Sequence, residues 1–135
     1  MSLIDWNSGY SVNVKEIDDQ HKKLIDLINK LYDEMKSGHG KEALSGVLKE
    51  LVDYTKYHFQ AEEKLLSKNN YPNFAAHKKE HEELTKKVEE INEKIASGKM
   101  VISSNVLTFL KDWLNNHILV EDKGYSKYLN EKGVK

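Results

Sequence analysis

The feature that most constrains this chain is a set of histidines at positions where a helical bundle usually carries leucine. On an α-helix, side chains three or four positions apart lie on the same face. His58 and Glu62 have this spacing, and so do His77 and His81. Because the apolar stripe of each segment continues through these positions, we expect the imidazoles and the carboxylate to point into a core.

Two further motifs add one histidine each. His21 lies upstream in the sequence Asp-Gln-His, and His117 lies downstream, shortly before the carboxylates of Glu121 and Asp122. Five of the six histidines therefore fall in four segments with helical periodicity. A helix bundle can direct side chains from several helices to one core site. The sequence thus predicts a metal site built from five imidazoles and some carboxylates.

The composition agrees with an all-α fold. The chain has 135 residues, of which 39% are hydrophobic and 32% charged, and it has one proline. This length suits one domain with its own core, and the composition suits amphipathic helices. The apolar stripes predict helices at about 18–37, 41–67, 73–97 and 104–130, after an arm over residues 1–16. Short connections favour an up-down-up-down antiparallel four-helix bundle with an extended N-terminal arm.

Several residues suit the ends of these helices. Asp18 or Asp19 can cap the first helix, because a carboxylate accepts hydrogen bonds from the free N–H groups of the first turn. Gly38 suits the left-handed position that ends it. Ser103 or Ser104 can cap the fourth helix.

Composition also excludes several classes of protein. The net charge of −1 argues against nucleic acid as a partner, since a basic excess would be expected. No apolar run approaches 18 residues, so the sequence predicts no membrane partner. The N-terminus lacks the pattern of a signal peptide, and we expect a cytoplasmic location. Cysteine is absent, so nitrogen and oxygen must hold any metal.

The number of histidines favours two metal ions over one. Five imidazoles exceed what a single tetrahedral zinc site uses. Neutral imidazole also suits iron, copper and nickel, and a carboxylate has two oxygens that can bridge a pair of ions. Two bridging carboxylates and five imidazoles leave one open position on two six-coordinate ions that also share an oxygen bridge. A small ligand would bind at that position.

The carboxylates are harder to choose than the histidines. Glu62 follows a histidine by four residues and shares its face, whereas Glu63 is rotated by a further 100° or so. Near the C-terminus, Glu121 follows His117 by four residues and Asp122 follows it by five. Five residues turn a regular helix about 140° out of register, so Asp122 requires a local distortion. Periodicity alone leaves the last choice open.

Taken together, the four motifs resemble those of the hemerythrin family, and in particular its single-domain bacterial members, the bacteriohemerythrins. The resemblance covers essentially the whole chain, including the arm around Trp6 and Tyr10. It implies a single hemerythrin-like domain over residues 1–135. The residues that match the motifs are Asp19, His21, His58, Glu62, His77, His81, His117 and Asp122.

The resemblance implies a function as well as a fold. It implies reversible O2 binding, for carriage, storage or delivery, at two non-haem iron ions per chain that share an oxo or hydroxo bridge. One ion is implied to be held by His77, His81 and His117. The other, which keeps the open position, is implied to be held by His21 and His58.

The remaining site residues follow from the same resemblance. It implies that Glu62 and Asp122 bridge the two ions, which selects the later of the two carboxylates in the last motif. It also implies that apolar residues line the O2 pocket, namely Trp113, Leu114 and Ile118.

A diiron redox enzyme (an oxidase, peroxidase or nitric oxide reductase) and an oxygen or redox sensor are the alternatives to an O2-binding protein. Ferritin-like diiron enzymes use two Glu-x-x-His motifs, and this sequence contains none. We therefore favour an O2-binding protein that is not an enzyme. Of the other polar residues, His39 is expected at the surface, and Glu63 and Glu121 are expected to be solvated or to hydrogen-bond to ligands.

Overall fold

The computed structural model describes residues 3–38, 41–99 and 104–135. It confirms an all-α, antiparallel four-helix bundle, with no strand in these ranges. None of the helices in these ranges combines the length and the apolarity needed to cross a membrane. The helices are α1 (Lys15–Ser37), α2 (Lys41–Lys68), α3 (Phe74–Ala96), α4 (Ser104–Asn116) and α5 (Lys123–Glu131), with a π-helix (His117–Asp122) between the last two.

The N-terminal arm is less extended than predicted. Ser8–Tyr10 forms one turn of 3-10 helix, and the side chain of Asn7 caps it by accepting a hydrogen bond from the N–H of Gly9. The Tyr10 hydroxyl donates to Asn115 Oδ1 across 2.8 Å. This contact attaches the arm to α4, which is distant from the arm in the sequence.

The start of α1 also corrects a prediction. The helix begins at Lys15, and neither Asp18 nor Asp19 caps it. Asp18 lies inside the first turn, where its carboxylate accepts hydrogen bonds from Ser11 Oγ (2.6 Å) and from the N–H of Val12 (2.8 Å). The carboxylate therefore joins the arm to the helix, and its negative charge also favours a helix N-terminus.

The other helix ends agree with the sequence where they are described. Gly38 ends α1 with a φ of 69°, the left-handed conformation that glycine adopts without strain. The helix α4 begins at Ser104. The alternative cap Ser103 and the predicted surface residue His39 lie outside the described residues.

The core consists of two apolar clusters with buried histidine and carboxylate side chains between them. We call these side chains the polar layer. In α1, Ile17 belongs to the smaller cluster and Leu24 to the larger one, and His21 lies between them in sequence. In α2, Leu51 belongs to the larger cluster and Leu66 to the smaller. Burial of these apolar surfaces is the main favourable contribution to folding. The two clusters thus enclose the polar layer from both sides.

Asn29 holds the arm against α1. Its Oδ1 accepts hydrogen bonds from the N–H groups of Leu3 and Ile4, each across 2.9 Å, and its Nδ2 donates to the Ile4 carbonyl across 2.8 Å.

Asn29→Ala leaves these partly buried groups unpaired, so we expect the free energy of unfolding to fall by about 1–3 kcal/mol in urea denaturation. The control Asp26→Ala changes an exposed residue of the same helix and should stay within about 0.5 kcal/mol. Equal effects of the two variants would contradict this role.

Candidate metal centre

The polar layer contains all seven side chains that were predicted as metal ligands. Their exposed fractions do not exceed 6%. Ionisable groups are rarely buried this deeply unless charges or a metal compensate them. The seven residues are His21 on α1, His58 and Glu62 on α2, His77 and His81 on α3, and His117 and Asp122 on the π-helix.

The ligand atoms of these residues form two overlapping groups. Within each group, one atom of every residue lies within 4.8 Å of the others. Both groups contain the two carboxylates, so either carboxylate can reach both sets of histidines. The first group is His21, His58, Glu62, His117 and Asp122, and the second is Glu62, His77, His81 and Asp122.

His117 lies between the two sets of histidines. It groups with His21 and His58, whereas the resemblance assigned it to the ion held by His77 and His81. The centroid of its ring is 5.6 Å from that of His58 and 5.3 Å from that of His81. The His117 ring is therefore about as far from the ring of His58 as from that of His81.

The π-helix resolves the spacing of the last motif. In a π-helix the backbone bonds join residues five apart, so His117 and Asp122 come onto one face. His117 Nε2 and Asp122 Oδ2 are 2.9 Å apart. This is the local distortion that the five-residue spacing required. The side chain of Glu121 lies outside the described residues.

The polar atoms of the cluster are positioned to bind a cation rather than to hydrogen-bond to one another. The Nε2 atoms of His21, His58 and His81 and both oxygens of Asp122 have no hydrogen-bond partner of acceptable geometry. Yet His21 Nε2 is 2.7 Å from Asp122 Oδ2 and His81 Nε2 is 2.9 Å from Glu62 Oε1. Donor atoms that converge at these distances without hydrogen-bond geometry fit a bound metal, and this nitrogen and oxygen donor set suits iron.

Tyr125 also contacts the cluster. Its hydroxyl donates to Glu62 Oε2 across 2.9 Å. Burial, together with the charges of Asp122 and Glu62, raises the pKa of Tyr125 well above its usual value, so the phenol keeps its proton. Helical periodicity places this tyrosine only in the apolar stripe of the fourth predicted helix. The signal it missed is that a buried tyrosine hydroxyl needs a partner.

Two histidines hydrogen-bond through the ring nitrogen that faces away from the cluster. His58 Nδ1 lies 2.7 Å from Gln20 Oε1, and His81 Nδ1 lies 3.0 Å from Glu63 Oε2. Since both partners are acceptors, each Nδ1 carries a hydrogen, and each Nε2 faces the cluster. The contact of Glu63 agrees with one of its two expected roles, whereas Gln20 was not anticipated.

The predicted pocket residues Trp113, Leu114 and Ile118 are all buried. The Trp113 ring lies nearly parallel to that of His117, with 6.3 Å between centroids. Phe59 was not predicted, although it follows the histidine of the second motif, and it stacks on His81 at 3.9 Å with an angle of 4° between the rings. Two aromatic side chains, Phe59 and Trp113, thus contact the histidines of the cluster.

Comparison with known proteins agrees with this site. The profile described as "Hemerythrin HHE cation binding domain" matches residues 12–129. The chain belongs to the hemerythrin family. Bacteriohemerythrin of Methylococcus capsulatus is 37% identical over 131 residues, which cover 96% of this chain and 99% of that relative. A hemerythrin-like protein of Naegleria gruberi is 34% identical over 128 residues, 95% of each chain.

Solved structures lead to the same family. A crystal structure of wild-type hemerythrin superimposes with a TM-score of 0.88 at 35% identity, covering 93% of this chain and 97% of that one. The hemerythrin fold therefore extends over nearly the whole of this chain.

Without metal, this hemerythrin-family site holds protons and charges in close contact. Burial lowers the pKa of His77, but contacts with Asp122 and Glu62 outweigh burial and raise it from 6.5 to about 9. Burial lowers the pKa of His58 below its usual value. Burial opposes ionisation of both carboxylates, but the neighbouring imidazoles outweigh it and lower their pKa values. A metal ion must therefore displace a proton from His77.

The stability of the metal-free protein should depend on pH through His77. Its pKa is 6.5 when unfolded and about 9 when folded, so its stabilising contribution is complete below pH 6.5 and disappears as the pH rises through 9. We expect the free energy of unfolding, measured in urea, to decrease from pH 7 to pH 10. His77→Gln should reduce this slope, and His39→Gln, which changes the histidine outside the motifs, should keep it. An unchanged slope in His77→Gln would exclude His77 as its source.

Proposed function

We propose that this hemerythrin-family protein binds O2 reversibly at two non-haem iron ions. The observation that carries the proposal is the buried cluster of five imidazoles and two carboxylates, in which both carboxylates reach both sets of histidines. Imidazole nitrogen and carboxylate oxygen are suitable ligands for iron. Two overlapping donor sets that share their carboxylates suit a pair of ions better than one.

The proposed ligand assignment follows the family resemblance. His77, His81 and His117 would hold one ion, and His21 and His58 would hold the other, which keeps the open position. Glu62 and Asp122 would bridge them, together with an oxo or hydroxo group. The position of His117 between the two sets of histidines is compatible with its assignment to the first ion.

The chemistry that a ferrous pair supplies is the reversible donation of electrons to O2. The residues around it keep that exchange reversible. Trp113, Leu114 and Ile118 are buried, and as the proposed lining of the O2 pocket they would limit the access of water and protons. Tyr125 holds Glu62 through its hydroxyl, so one carboxylate is fixed in orientation before a metal binds.

O2 binding is favoured over catalysis because the donor set is rich in imidazole. Ferritin-like diiron sites contain more carboxylates and two Glu-x-x-His motifs. The cytoplasmic location, the absence of nucleic acid and membrane partners, and the choice of a carrier over a sensor stay predictions from the sequence.

Visible spectroscopy on protein with quantified iron tests the proposal directly. The reduced anaerobic protein should be colourless, gain a charge-transfer band in air and lose that band when O2 is removed. Repeated cycles should give the same amplitude, because O2 leaves unchanged. If the first exposure to air gives an oxidised form that O2 removal does not reverse, reversible binding is wrong, and turnover with peroxide would then indicate a redox enzyme.

Substitution of single ligands tests the assignment. Glu62→Ala removes a proposed bridge and His77→Ala a proposed terminal ligand. Loss of an outer partner of a metal ligand already costs about 10–100-fold in affinity, and loss of the ligand itself should cost at least as much. We expect both variants to retain fewer than two irons per chain by elemental analysis. His39→Ala, which changes the sixth histidine, should retain both. A variant of Glu62 or His77 with two irons and an unchanged spectrum would refute that ligand.

A further inference from the structure

Glu63 lies next to the proposed bridging residue Glu62 but has a different environment. The Glu62 side chain is fully buried, whereas 21% of the Glu63 side chain is exposed. Glu63 lines a surface cleft of about 410 Å³ between α2 and α3, together with His81 and Glu82. These two consecutive residues thus place one carboxylate inside the cluster and the other at its boundary with solvent.

The imidazole of His81 connects these two carboxylates. Its Nδ1 is 3.0 Å from Glu63 Oε2, and its Nε2 is 2.9 Å from Glu62 Oε1. Phe59 stacks on the ring at 3.9 Å and prevents it from tilting. The ring is therefore held on three sides, with its Nε2 directed at the polar layer.

The corresponding contact on the other set of histidines is electrically different. There the Nδ1 of His58 donates to the neutral amide oxygen of Gln20 across 2.7 Å. An anionic acceptor increases the electron density that an imidazole offers through its opposite nitrogen, and a neutral acceptor does so less. His58 and His81 therefore differ in the electron density that each can offer through its Nε2.

We propose that Glu63 is a positioning residue of the metal centre, which orients His81 through the Nδ1–H hydrogen bond and makes its Nε2 a stronger ligand than that of His58. This inference rests on the proposed function in one respect only, that the cluster binds metal. The hydrogen bond fixes the tautomer, and the negative charge favours the higher oxidation state of the ion that His81 contacts. Glu63 does not itself contact O2.

Nuclear magnetic resonance of the metal-free protein tests the hydrogen bond without any metal. In 15N-labelled wild-type protein we expect His81 with its hydrogen on Nδ1. Glu63→Leu removes the acceptor and should shift the tautomer or broaden the ring signals. Glu63→Gln keeps an acceptor oxygen and should retain the wild-type tautomer. An unchanged His81 ring in Glu63→Leu would overturn the proposal, and the spectra of both variants also report whether the fold is intact.

Competition for Zn²⁺ measures the strength of the ligand without O2 or redox chemistry. Loss of an outer partner of a metal-bound histidine typically lowers affinity by about 10–100-fold, and we expect that range for Glu63→Leu, with a smaller loss for Glu63→Gln. Glu82→Gln removes the same charge from an exposed residue of the same cleft. Glu82→Gln should leave the affinity for Zn²⁺ unchanged. Equal losses of affinity in Glu63→Gln and Glu82→Gln would mean that the overall negative charge of the cleft, and not the hydrogen bond to His81, sets the affinity, and would overturn the proposal.

The reduction potential of the iron protein completes the test. Glu63→Gln should raise the potential, because the charge that favours the oxidised ion is lost, and Glu82→Gln should not. If the wild-type protein binds Zn²⁺ with the expected order of variants but fails to bind O2 reversibly, the proposed function fails and the role of Glu63 stands. If O2 binds reversibly and Glu63→Leu matches Glu82→Gln in all measurements, the role of Glu63 fails alone.

Discussion

Burial of seven ionisable side chains inside an apolar bundle is the constraint on which the rest of the structure depends. Each such group loses hydration, and the attraction among imidazoles and carboxylates returns only part of that free energy. The cluster contains short contacts without hydrogen-bond geometry, such as that of His21 Nε2 with Asp122 Oδ2, and these atoms stay available to a cation. A bound cation would satisfy them together, so metal binding and folding stability are linked.

The two apolar clusters make such a layer tolerable. Residues such as Leu24 on one side and Ile17 on the other are buried completely and bring α1 close to its neighbours at both ends of the polar layer. Helices that are fixed at both ends can hold side chains between them in a narrow range of positions. The hydrogen bonds of Gln20, Glu63 and Tyr125 then fix individual ligand groups.

Helical periodicity predicted the fold, the five histidines and Glu62, because it reports which side chains share a face, whereas Asp122 came from the family resemblance alone. The outer partners were harder to predict, since Gln20 and Tyr125 are 38 and 63 residues from the groups they contact. The start of α1 was wrong for a similar reason. Aspartate is a common helix-capping residue, but the carboxylate of Asp18 accepts hydrogen bonds from the arm. That tertiary contact leaves no periodic signal in the sequence.

The π-helix also determines the direction of everything that follows it. Twelve residues of regular helix would turn Leu129 about 120° away from the face of His117. The wider turn of the π-helix absorbs one residue, so that Tyr125 and Leu129 are buried in the smaller cluster. Deleting one residue here would rotate α5 as a whole, whereas a substitution at Leu119, which is 44% exposed, changes only one side chain. We therefore expect evolution to conserve the number of residues in this segment more strictly than the identity of its exposed residues.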